Sequence, residues 1–100
     1  MEDITVQEVK RKLDAGESFI FIDVREPWEN EEFNIGAKLI PLGTLMNSMW
    51  ELDDNKNDEI VIHCRSGARS GQAKSILVAN GFTNVRNMLG GVIEWRANFG

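Results

Sequence analysis

Two stretches, Phe19-Ile20-Phe21-Ile22-Asp23-Val24 and Glu59-Ile60-Val61-Ile62-His63, run apolar without the alternation of a half-exposed strand. Such runs suit strands covered on both faces, as in the parallel sheets of α/β proteins. Elsewhere the period is helical. Thr5-Val6-Gln7-Glu8 has capping-box spacing, and Ile4 and Val9 are placed to staple that start. Val6, Val9 and Leu13 then form an apolar stripe, which predicts a helix over Val6 to Asp14 with Gly16 as its stop signal. Pro27 favours the first turn of a short helix through Glu32, and Lys38 to Leu42 reads as a short strand closed by Pro41.

The second half repeats the alternation. Leu45, Met46, Met49, Trp50 and Leu52 make a dense apolar face on a further helix, read as core with a partner patch around Trp50 and the methionines as the alternative, and Asp53 to Asp58 is a polar connection. After the second buried strand comes a helix with Ala73, Ile76 and Leu77 facing inward, ended by Asn80-Gly81. Val85 to Leu89 is the last strand, Gly90-Gly91 a turn, and Val92 to Ala97 a closing helix in which Trp95 packs. Strands separated by helical segments predict an α/β fold with helices on both faces of a parallel sheet, and ligands gather at the carboxyl ends of such strands.

With 100 residues, 42% of them apolar, the chain makes one core, so residues 1–100 are read as a single domain. Its single cysteine forms no internal disulfide, and with the single histidine it falls short of a four-ligand zinc site, so no metal is expected. No basic-then-apolar leader opens the sequence, and no apolar run approaches the ~18 residues of a membrane span. The expectation is a cytoplasmic protein in a reducing compartment. A net charge of −5 argues against nucleic acid or anionic membrane as partner. Locally the balance reverses: from Ile60 to Lys74 the charged side chains are Arg65, Arg69 and Lys74, a spot for small anions.

Cys64 follows the second buried strand directly and precedes a polar loop and a helix. Unpaired N–H groups at such a helix start converge on negative charge, which favours a thiolate over a thiol. His63 is its neighbour, but adjacent strand residues point to opposite faces, so His63 is read as packed and internally satisfied, with no catalytic role. Cysteine-dependent phosphatases carry His-Cys-x5-Arg, whereas here Arg69 gives Cys-x4-Arg and Ser70 takes the phosphatase arginine's place. The shorter loop makes a tighter cradle, suited to one extra sulfur atom on the cysteine more than to a phosphoryl group.

The chain resembles a single-domain rhodanese over essentially its whole length. The resemblance rests on Phe21-Ile22-Asp23-Val24-Arg25-Glu26-Pro27-Trp28-Glu29, Ile35-Gly36-Ala37-Lys38-Leu39-Ile40-Pro41, Cys64-Arg65-Ser66-Gly67-Ala68-Arg69-Ser70, and Leu89-Gly90-Gly91 with Trp95. One departure is Phe33, where members often have histidine. The resemblance implies a mostly parallel sheet of about five strands and a sulfurtransferase needing no cofactor. Cys64 is its implied nucleophile, carrying sulfur as a persulfide from an anionic donor such as thiosulfate to a thiol or protein acceptor. Arg65, Ser66, Gly67, Ala68, Arg69 and Ser70 are the implied substrate-binding loop. Asp23 and Arg25, at the end of the first central strand, are candidates for an ion pair bracing the site. A non-catalytic rhodanese-like interaction module is the alternative, and a phosphatase or arsenate reductase a weaker one.

Overall fold

The structure, a computed structural model, describes residues 2–100. Its elements are α1 (Val6–Asp14), β1 (Ile20–Asp23), α2 (Pro27–Glu32), β2 (Lys38–Leu39), α3 (Leu45–Ser48), β3 (Ile60–His63), α4 (Ala68–Ala79), β4 (Val85–Asn87) and α5 (Gly91–Phe99), with 3₁₀ turns at Leu42–Thr44 and Met49–Asn55. The strands form one parallel sheet in the order β2-β1-β3-β4, with Ile20 opposite Ile60 and Asp23 opposite His63 in the central pair. Chain order reverses between β1 and β3. That is a topological switch point, where the carboxyl ends of neighbouring strands leave a crevice.

Each face of the sheet carries its own core. On one side Ile22, Ile60, Ile62, Leu45, Leu52, Leu77 and Phe82 pack together, drawing on α3 and α4. On the other Ile4, Val6, Val9, Val61, Met88 and Trp95 join α1 and α5 to the sheet. Thr5 caps α1 as expected, its Oγ1 accepting the Glu8 amide at 3.2 Å, while the Glu8 carboxylate turns to Arg11 at 2.7 Å.

Two expectations are corrected. The sheet has four strands and not about five, because the fifth contribution shrinks to a single parallel bridge between Ile4 and Met88. Thr5 begins capping α1 at the very next residue, so the segment has no length left to pair. The apolar face from Leu45 to Leu52 is only partly core: Leu45, Met49 and Leu52 are buried, but Met46 and Trp50 are 66% and 69% exposed. The reason is the narrowness of the buried face: Leu45, Met49 and Leu52, spaced i, i+4, i+7, share one side, while Met46 and Trp50 each follow one residue later and project away from it. Among the described residues no helix is long and apolar enough to cross a membrane.

Candidate active site

Strand β3 delivers the cysteine. Period-two alternation places Ile60, Ile62 and Cys64 in one core and Val61 in the other, so the His63 ring goes to the face opposite the thiol. That ring lies 5.4 Å from Phe21, and its Nδ1 is 3.3 Å from the Cys64 carbonyl oxygen. The expectation of a fully satisfied histidine is half met, since Nε2 has no hydrogen-bond partner among the described residues. Burial lowers its pKa against the pull of Asp23, so the imidazole is neutral.

Beyond Cys64 the backbone turns sharply at Gly67, whose φ of 105° lies in the left-handed region that glycine adopts without penalty, and α4 starts at once. The turn folds the loop around the sulfur. The Gly67 amide donates to Sγ at 3.1 Å, the Ser70 hydroxyl lies at 3.4 Å, and the amides of Ser66 and Ser70 face it as well. Burial pushes the thiol up, but these donors outweigh it and hold the Cys64 pKa below the ordinary thiol value. Of the expected loop, Ser66, Gly67 and Ser70 therefore meet the sulfur directly. Arg65 and Arg69 contribute their side chains to the cavity outside, and Ala68 opens the helix.

What aims the amides inward is the capture of the carbonyls from outside. The first amides of α5 do this: Val92 donates to the Cys64 carbonyl at 2.9 Å and Ile93 to that of Arg65 at 3.0 Å. Such an approach requires Gly91, where a Cβ would lie 2.5 Å from the Arg65 carbonyl and 2.6 Å from that of Cys64. From β4, the Asn87 amide donates to the Gly67 carbonyl at 3.1 Å, and its Oδ1 accepts the Ser70 hydroxyl at 2.6 Å. Asn87 was not foreseen as a site residue. Its only sequence signal is its place in the last strand candidate, Val85 to Leu89, where it follows the charged Arg86.

Asp23 and Arg25 form the expected pair. Arg25 reaches both Asp23 oxygens at 2.8 to 3.1 Å, both side chains are buried, and Arg25 also donates to the Phe33 carbonyl at 2.6 Å. Burial raises the Asp23 pKa, but Arg25 and the other donors lower it further, so the carboxylate is ionised. The arginine thus ties the end of β1 to the segment after α2. Phe33, at the position often held by histidine, presents its ring to Arg96, whose guanidinium lies 4.6 Å from the ring centroid.

Glu29 belongs to a different pair. Its carboxylate takes both Arg69 nitrogens, at 2.6 and 2.9 Å, and also accepts the Glu26 amide at 3.0 Å. Arg69 holds the Glu29 carboxyl down at about 2. Lys74, the third cation of the local cluster, turns away to Asp3 at 2.7 Å. Above the loop lies an open cavity of about 630 Å³ lined by Arg25, Arg65, Arg69 and Arg96 against Glu26, Glu29 and Glu32, with Trp28, Phe33, Val92 and Ile93 between them. Cys64 itself does not line it and is 1% exposed.

A parallel α/β sheet carrying a cysteine loop at its switch point, with four residues between thiol and arginine, defines a class that comparison with known proteins makes specific. Residues 5–98 match the family described as the rhodanese-like domain, and the chain belongs to that family. A sulfurtransferase of Allochromatium vinosum is 33% identical over 96 residues, covering 95% of this chain and 88% of its own length. The Bacillus subtilis protein YrkF, provisionally named a sulfur carrier, is 40% identical over 94 residues, or 93% of this chain, which spans half of YrkF's length. The crystal structure of a rhodanese-like domain protein from Staphylococcus aureus, 35% identical, matches with a TM-score of 0.86 over 95% of this chain and 91% of that one.

Proposed function

We propose that this protein is a sulfurtransferase that carries a sulfane sulfur on Cys64. The observation behind the reading is the convergence of three amides and the Ser70 hydroxyl on one sulfur whose pKa they lower. Donors so placed stabilise a thiolate before reaction and a persulfide anion after it. Relatives named as sulfurtransferases and a sulfur carrier support the same reading.

The reaction is a double displacement. Cys64 thiolate attacks the outer sulfur of thiosulfate, the bond from that sulfur to the sulfonate breaks, and sulfite leaves with the electron pair. One negative charge stays on the Cys64 persulfide. A thiolate or cyanide then attacks the terminal sulfur, and Cys64 departs as thiolate. The chemistry uses only cysteine and hydrogen-bond donors, and a free thiol of this kind suits a reducing compartment such as the cytoplasm.

One observation favours a second reading, a rhodanese-like module that only binds partners: the thiol is 1% exposed. Mass spectrometry after thiosulfate treatment separates the two. The transferase gains one sulfur atom at Cys64, and Cys64→Ser gains none and forms no thiocyanate from thiosulfate and cyanide. An unloaded wild-type protein would leave the binding module as the better description.

A further inference from the structure

We infer that the Glu29 carboxylate is a resident stand-in for an anionic sulfur donor, so that Glu29 selects donors by charge. It holds the Arg69 guanidinium and keeps Cys64 covered until another anion takes its place. The inference rests on the sulfur-transfer reading and names the donor class for that same site.

Three observations converge on it. Arg69 gives one nitrogen to each Glu29 oxygen, at 2.6 and 2.9 Å, so the fork that an incoming anion needs is filled. Both partners line the cavity, the thiol is 1% exposed and does not, and Arg69 is close enough to interact with the Cys64 charge, so the ion pair stands between open solvent on one side and the neighbourhood of the sulfur on the other. Glu29 is also held from behind, through the Glu26 amide at 3.0 Å, and stays ionised across the working pH range, so protonation does not release it.

Exchange is then the economical way in. Withdrawing Glu29 alone strands a guanidinium that is two-thirds buried, whereas replacing one two-oxygen anion by another conserves both charge and hydrogen bonds. A sulfonate offers such oxygens and a neutral alkyl persulfide does not. Arg65 lines the same cavity, and its guanidinium has no hydrogen bond among the described residues, which leaves it free to receive the anion first.

Alkylation of Cys64 reads this cover without any sulfur transfer, using neutral iodoacetamide and anionic iodoacetate. In the wild type, the ratio of iodoacetate to iodoacetamide rate should exceed that of free cysteine at least tenfold. In Glu29→Gln the iodoacetamide rate should rise at least tenfold and the KM for thiosulfate should fall. Glu29→Asp keeps the charge but draws it back from the fork, and should open the site likewise if the first variant does not fold. Equal alkylation rates in wild type and variants, or a wild-type ratio matching free cysteine, overturn the inference even where thiosulfate still loads Cys64. Accelerated alkylation with no sulfur uptake from thiosulfate would instead remove the sulfur-transfer reading and leave the charge-selective cover standing.

Discussion

Ser70 is the one side chain among the described residues that hydrogen-bonds the Cys64 sulfur. Its one hydroxyl proton has two acceptors, Asn87 Oδ1 at 2.6 Å and the sulfur at 3.4 Å. When the thiol ionises, the charge on sulfur competes for that proton, and a hydrogen bond to a charged group is stronger than one to a neutral amide. Ser70→Ala leaves the three amides in place but should raise the thiol pKa by about one unit, or ~1.4 kcal/mol. Thiolate absorbance followed against pH measures this, and an unmoved midpoint would deny Ser70 any part in stabilising the anion. At this scale the sequence was informative about Cys64 and its loop because strand, thiol, glycine and helix follow one another without a break. It was silent about Asn87, more than fifteen residues away, because a contact made through the fold leaves no local pattern. For Arg69 the charge was legible but the partner, forty residues earlier, was not.

The elements act on the site through their ends. Helix α5 contributes no side chain to the sulfur, yet its first amides hold the Cys64 and Arg65 carbonyls. This depends on Gly91, whose φ is 58° and whose missing side chain leaves room for two carbonyl groups. Gly91→Ala combines left-handed backbone strain with overpacking, so a loss of roughly 2–5 kcal/mol is expected in urea unfolding. A loss below 1 kcal/mol would mean that the helix start can retreat without harm. The helices and buried strands were readable because their apolar periods are long and uninterrupted. The segment from Leu42 to Asn55 was only partly legible, because it breaks into 3₁₀ and α turns and the five large apolar residues from Leu45 to Leu52 are too many for one buried face. Trp50 lies beside that face and stays outside.

For the molecule as a whole, the first loss of stability on acidification comes from the single histidine. His63 is buried and neutral in the folded chain, held below the usual histidine pKa by burial. In the unfolded chain it takes up a proton below about pH 6.5. The unfolded state therefore binds more protons in that range, and stability falls as pH falls, by ~1.4 kcal/mol per unit until the lowered folded pKa is reached. Carboxylates such as Glu29, depressed to about 2, add their own loss from about pH 5.5 downward, where their unfolded forms begin to protonate. Urea midpoints should decline between pH 6.5 and 5, and a flat profile there would mean that His63 charges without unfolding. Neither the orphaned Nε2 nor its neighbours could be seen in the sequence, where the residue showed only as the last of a buried run.

The grip of α5 on the cysteine backbone ties the shape of the loop to a helix that comes much later in the sequence. Val92 and Ile93 lie nearly thirty residues beyond the nucleophile, and until they arrive the carbonyls of Cys64 and Arg65 have nothing to turn toward. If Cys64 carries sulfur as proposed, a nascent polypeptide made only as far as α4 holds the same thiol without the backbone arrangement that would activate it, and gains that arrangement when α5 docks.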